Sequence, residues 1–263
     1  MKRALFFVLL ASSIIACENE DLLESNPIDS NIQITPTEFF NENSLRLGLS
    51  CKTEKIYPCI NYPILTEVTV VENLVSVNFI RVPEIDLCLT ALGPATTTID
   101  LSDISNGDYE LELNNGRLKN TGSLRITNSE IALEVDSEKG IEIIRETTKR
   151  LPNNTYWGTV GYHTENTIDQ VNEFLNILKA KNGVANFNNQ IPGEYSFFEI
   201  NEEGEIIPTE NSGYHFVKYF IFQYDGENKE TFKDEIDLLS TSYSEDMIIK
   251  FENYEGDRIY NWD

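Results

Sequence analysis

Few kinds of side chain in this 263-residue sequence could carry out chemistry. Its two histidines, His163 beside Tyr162 and His215 beside Tyr214, could share a cleft and, with a carboxylate, suit zinc or iron. No HExxH or comparable fixed spacing joins them, so no metal site is expected and each reads as a surface or satisfied structural histidine. Asp and Glu number 44, which makes carboxylate pairs abundant and any couple chosen for glycoside hydrolysis arbitrary. The sequence has no nucleophile elbow, no phosphate loop and no Asp-x-Asp-x-Asp-Gly calcium loop. No catalytic residue and no cofactor are therefore assigned.

Amphipathic rings collect in the C-terminal half, at Trp157, Tyr162, Tyr214, Tyr219, Tyr224, Tyr254, Tyr260 and Trp262. Such rings can form a platform on which sugars stack, although most stand at alternating strand positions and read as core. In NTYWGTVGYH, Gly158 and Gly161 flank Thr159-Val160 and leave little side-chain cover beside Trp157 and Tyr162. These two rings and His163 are the expected recognition residues. The opposite reading is that glycines beside a tryptophan mark close strand packing, with the ring turned inward.

At the N-terminus, Met1-Lys2-Arg3 is positive, and Ala4 to Ala16 is an uncharged, mostly apolar run that stops at Cys17. This is the pattern of a secretory signal, and the run falls short of the roughly 20 residues a spanning helix needs. Residues 1–16 are expected to be removed. The junction Ile14-Ile15-Ala16-Cys17 resembles the lipobox of bacterial lipoproteins. That resemblance implies lipidation of the Cys17 thiol, palmitate-type acylation of its new amine and anchoring in a bilayer. Residues 17–31, acidic and without apolar periodicity, read as a flexible tether. Glu18, Glu20 and Asp21 resemble the export signal of lipoproteins of the Bacteroidota, which implies the outer membrane and favours its cell-surface leaflet over the periplasmic one.

Three cysteines remain, at 51, 59 and 88, and export places them where a disulfide can persist. One pair can form, leaving one thiol over. Cys51 and Cys59 could bridge the loop CKTEKIYPC, or Cys88 could join either; Cys59 with Cys88 is preferred. Neither histidine is tied to a cysteine by a recognisable signature, so the odd thiol is not expected to be a nucleophile.

The elements that must position these residues fall into two groups. Residues 32–135 carry about seven short apolar or alternating segments, from Leu45–Leu49 to Ile131–Val135, separated by turns such as Asn106-Gly107 and Asn114-Asn115-Gly116. That spacing predicts an immunoglobulin-like β-sandwich, and Tyr109 in IDLSDISNGDYELEL stands where a tyrosine corner would. Residues 136–152 are charged and read as a linker. In residues 153–263, helices are expected at Ile168–Leu178, with Thr164 or Thr167 as N-cap and Gly183 at the C-cap, and at Lys229–Leu239. Strands are expected at Tyr195–Ile200, Tyr214–Tyr224 and Met247–Phe251, with a hairpin in EINEEGEIIP, which makes a small α+β domain. The chain as a whole is mainly β.

The stretch from YPCINYPI through CLTALGPATTTIDLSDISNGDYELEL is also similar to envelope lipoproteins of the Bacteroidota, which implies an exported group and no particular activity. The formal net charge of -24, two units more negative once Lys2 and Arg3 leave with the signal, repels nucleic acid. The expected function is an envelope-anchored binding or scaffold module for a glycan or protein partner, not an enzyme. The alternative is a hydrolase of glycans or peptides with its site in the C-terminal domain.

Overall fold

The computed structural model describes residues 27–42, 44–89, 91–208, 215–245 and 247–261. Cys17, the signal, Tyr214 and Trp262 lie outside them. The chain is mainly β, with two α-helices among the described residues.

The first half holds ten strands: β1 (Ile32–Asn41), β2 (Ser44–Tyr57), β3 (Leu65–Val71), β4 (Leu74–Arg81), β5 (Gly93–Asp100), β6 (Gly107–Asn115), β7 (Leu118–Ile126), β8 (Glu130–Val135), β9 (Ile141–Ile143) and β10 (Thr147–Lys149). They form a sheet ordered β5-β2-β1-β9 and another ordered β10-β8-β7-β6-β4-β3. Side chains alternate along a strand, so one face of each sheet is apolar. Ile32, Ile34 and Leu49 from one sheet and Val77, Leu113 and Leu124 from the other belong to one buried core. The parallel pairs β1–β9 and β4–β6 distinguish this strand order from the antiparallel sheets of an immunoglobulin domain. Where the chain crosses from β5 in one sheet to β6 in the other, the Tyr109 hydroxyl donates to the Ser105 carbonyl at 2.8 Å, which is the bond expected of a tyrosine corner.

Three of these strands lie outside the segments read from sequence. β1 was obscured because Pro36 and Glu38 occupy two of its inward positions and break the apolar alternation. Proline is tolerated there because β9 pairs with β1 only from Ile32 to Ile34, which leaves the following edge without a ladder to interrupt. β9 and β10 fall within the expected linker. Residues 136–152 are thus not an open connection: β9 joins β1, β10 joins β8, and Thr148 is fully buried, its hydroxyl donating to the Pro36 carbonyl at 2.5 Å. The end of the expected tether is also tied down, since the Asn115 side chain accepts from the Ile28 amide at 2.7 Å and donates to the Gly140 carbonyl at 2.9 Å.

The second half comprises β11 (Thr155–Tyr162), α1 (Ile168–Lys179), β12 (Val184–Ala185), β13 (Gly193–Glu194), β14 (Phe198–Ile200), β15 (Ile206–Pro208), β16 (Phe216–Tyr224), α2 (Lys229–Thr241), β17 (Ile248–Asn253) and β18 (Arg258–Tyr260). Its main sheet runs β12-β16-β11-β17-β18. β13, β14 and β15 make a small second sheet that contains the expected hairpin, with Glu199 opposite Ile207 and Gly204 at φ +79° in the turn. Helix α1 buries Val171, Phe174 and Leu178, the stripe its periodicity predicts. A 3₁₀ turn at Glu165–Thr167 precedes α1, and Thr164 and Thr167 pair their hydroxyls at 3.0 Å instead of capping backbone amides. The helix closes at Ala180, so Gly183, at φ +87°, turns the chain into β12 and is not the cap itself. Asn228 caps α2 by accepting from the Thr231 amide at 3.0 Å.

The helices pack on the face of the main sheet that carries Tyr156, Val160, Phe220, Phe222 and Phe251. On the opposite face, Trp157 and Ile221 form a smaller core with Leu151, Tyr195, Phe198 and Ile200, and Phe40 and Leu45 of the first half pack against it. The tip of the β1–β2 hairpin is thereby built into the second half.

Candidate functional site

The expectation of accessible rings beside the glycines of β11 is not met. Trp157 and Tyr162 are 7% and 6% exposed. The reason is the one the glycines themselves suggested: a Cβ on Gly158 would lie 2.1 Å from the Lys250 carbonyl oxygen, so glycine here lets β11 lie close against β17. Trp157 faces the junction, its ring 5.3 Å from Phe197 and 6.5 Å from Phe40, and its Nε1 donates to Glu252 at 3.1 Å. Tyr162 stacks on Phe216 at 5.3 Å on the helix side. His163 and His215 are exposed and stand one residue beyond the last pair of the β11–β16 ladder, Tyr162 with Phe216. Both therefore sit at one end of the main sheet, on open surface.

The Cys59–Cys88 disulfide is present and Cys51 is the leftover thiol, as preferred from sequence. Cys51 is buried in the first core, and burial pushes its thiol well above the usual cysteine value, so it stays protonated and a poor nucleophile.

Two other places gather polar chemistry. The first is a crevice of about 150 Å³ at the junction, lined by residues that include Glu38, Arg46, Asn106, Arg150 and Tyr254. Glu38 is 4% exposed; its Oε1 receives Arg150 Nε at 3.4 Å and its Oε2 the Leu151 amide at 2.8 Å. Burial raises its carboxyl to about 7, with the Leu151 amide and Arg150 pulling the other way. Arg150 is held in turn by the Thr127 carbonyl at 2.6 Å and Asn106 Oδ1 at 3.3 Å. The crevice is smaller than the roughly 300 to 1,000 Å³ of ordinary ligand pockets, and its polar groups satisfy one another, which suits a joint between the halves.

The second lies on the main sheet, on the face Trp157 shares but farther along the strands. The register places Tyr219 of β16 opposite Thr159 of β11, Thr159 opposite Lys250 of β17, and Lys250 opposite Tyr260 of β18. All four are half-buried. With strands about 4.8 Å apart, the row spans roughly 14 Å, with a tyrosine at each end and a hydroxyl and an ammonium between them. Lys250 Nζ lies 5.9 Å from the centre of the Tyr260 ring and 3.0 Å from Glu252 Oε1, which Arg258 also approaches at 3.4 Å. Glu252 is thus anchored from three sides, by Trp157, Lys250 and Arg258, and its charge is matched. The arrangement can stack a flat apolar face and meet hydroxyl or carbonyl groups beside it. Tyr219 and Tyr260 stood among the rings noted in the sequence, but Thr159 and Lys250 did not, because only pairing across four strands puts them in one row. No protein-family model, curated protein or solved structure matches this chain.

Proposed function

We propose that this protein is an outer-membrane lipoprotein, anchored through acyl chains on Cys17, that acts as a binding module with its recognition surface on the second half. The observation that carries the binding reading is the row Tyr219, Thr159, Lys250 and Tyr260, half-buried and in register across four strands. A glycan is the favoured ligand, since two tyrosine rings flanking a hydroxyl and a cation suit sugar faces and sugar hydroxyls. Anchoring and export are supported by the signal and Ile14-Ile15-Ala16-Cys17, and the Cys59–Cys88 disulfide fits an oxidising compartment. Recognition thus moves away from Trp157 and Tyr162, whose rings are core.

Two measurements test the proposal. Metabolic labelling with palmitate should mark the wild-type protein and not Cys17→Ser, which should leave the membrane pellet. In the soluble Cys17→Ser background, envelope glycans presented on an array should be bound, and Tyr219→Ala or Tyr260→Ala should weaken binding about tenfold with the melting temperature unchanged. Binding indifferent to both tyrosines would refute the row as the site. Release of shortened glycans or peptides over time would instead favour the hydrolase reading.

A further inference from the structure

Apolar side chains are not left exposed evenly over this molecule. Among the described residues, eight large aliphatic side chains are at least half exposed, and five of them, Ile56, Ile60, Leu87, Leu89 and Leu92, belong to one pole of the first half. They are held together covalently and by hydrogen bonds. The Cys59–Cys88 disulfide ties the end of β2 to the loop after β4; Asn61 donates to the Leu87 carbonyl at 2.8 Å and accepts from the Leu89 amide at 3.1 Å; Ile56 pairs with Pro94. Leu87 and Leu92 are about three-quarters exposed, at 75% and 76%. A soluble surface does not ordinarily fix a cluster of this kind in place without something to cover it.

The route of the chain says what that is. The first described residues enter the fold at this same pole: the Glu54 amide donates to the Asn31 carbonyl at 3.0 Å, the Lys55 amide to Ser30 Oγ at 3.0 Å, and Lys55 Nζ reaches Asp29 at 3.3 Å. Ile56 follows directly. From Cys17 to Pro27 is ten residue steps, a reach of at most about 36 Å. The second half is joined at the opposite pole, where Phe40 and Leu45 lie, one length of β1 away. Charge agrees as well: Lys52, Lys55 and Arg81 nearly balance Asp29, Glu54, Glu84 and Asp86 here, in a chain whose acids outnumber its bases 44 to 20. These residues sum to one negative charge, so little repulsion from them opposes the approach of lipid headgroups.

We infer that the disulfide-tied apolar pole rests in the surface of the lipid leaflet that holds Cys17, with Leu87, Leu89 and Leu92 in contact with acyl chains, so that the second half and its Tyr219–Tyr260 row are held outward. This rests on the lipoprotein reading and adds an orientation to it. Anchoring alone would let the body tumble on its tether; a seated pole fixes which face meets the surroundings.

The test uses the lipidated protein in phosphatidylcholine vesicles, with and without bromine on the acyl chains. The fluorescence added by Leu89→Trp or Leu92→Trp, over that of the unsubstituted protein, should be quenched by brominated lipid several-fold more than that added by Leu238→Trp, an exposed site on α2. If the protein floats with the vesicles and all three added indoles are quenched alike, the inference is overturned and the lipoprotein reading stands. If the protein carries no acyl chain and does not float, the lipoprotein reading fails, and the soluble Cys17→Ser chain decides the inference. Weak flotation lost on joint Leu87→Ser, Leu89→Ser and Leu92→Ser substitution supports it, and flotation that is absent or indifferent to those changes overturns it.

Discussion

Glu38 sits on an inward position of β1, where alternation would place an aliphatic side chain, and it is kept there by the Arg150 guanidinium and the Leu151 amide. Burial raises its carboxyl from the ordinary 4.5 to about 7, so between those pH values the folded protein holds a proton that the unfolded chain has released. Stability from this group is therefore complete below pH 4.5 and is lost as pH rises through 7. At about 1.4 kcal/mol per unit, the loss is about 3 kcal/mol at most. Glu38→Gln keeps an acceptor for the Leu151 amide and cannot ionise, so its urea midpoint should fall less than that of the wild type across this window. Equal slopes would mean that Glu38 is ionised in the folded protein throughout. Trp157 makes a second residue-scale case. Its ring fills the small junction core, and Trp157→Ala should cost about 3 to 5 kcal/mol in chemical denaturation. A loss under 1 kcal/mol would show that the ring is dispensable to packing.

At the scale of elements, the Cys59–Cys88 bond closes a loop of 29 residues that contains β3 and β4. Cross-linking a loop of that length removes freedom from the unfolded chain worth about 3.5 kcal/mol in the loop-entropy model. Joint Cys59→Ser and Cys88→Ser substitution should lower stability by that order, measured by denaturant unfolding, while Cys51 stays unreactive to thiol reagents in the folded state. A negligible change would show that pairing of β3 with β4 already confines the loop when the chain is unfolded. The glycine-bearing strand β11 teaches a related lesson. Its segment is not among the strands expected from sequence, yet it is the centre of the main sheet, because Gly158 admits the neighbouring backbone where any Cβ would collide.

For the molecule as a whole, the two halves share more than a chain crossing. Phe40 and Leu45 of one half pack against the core that holds Trp157 in the other, Ser196 Oγ accepts from the Glu38 amide at 2.6 Å, and Arg145 pairs with Glu194 at 3.0 Å. The charged stretch between the halves is pinned as well, with Asn120 Oδ1 accepting from the Lys139 amide at 2.8 Å and β9 and β10 laid into the two sheets. Trypsin should therefore spare Lys139, Arg145, Lys149 and Arg150 in the native protein, and calorimetry should show one cooperative transition. Early cleavage within 136–152, followed by two separate melts, would mean that the halves are independent domains.

The sequence alone was enough to expect a mainly β chain, the α1 and α2 helices and the turn at Tyr109. Each of these depends on local period, turn chemistry or short-range spacing, which a linear chain displays directly. Lipidation of Cys17 is an expectation of the same local kind, and it falls on residues outside those described. What only the tertiary structure decided depends on pairing between distant segments. Pro36 and Glu38 hide a central strand until β10 and Arg150 are seen to accept them. The inward turn of Trp157 follows from Phe40, more than a hundred positions away. The row from Tyr219 to Tyr260 exists because four strands align, and the apolar pole because the start of β1, the end of β2 and the loop after β4 finish at one place. Periodicity tells which face of a strand is apolar, but only the register tells which neighbours that face will meet.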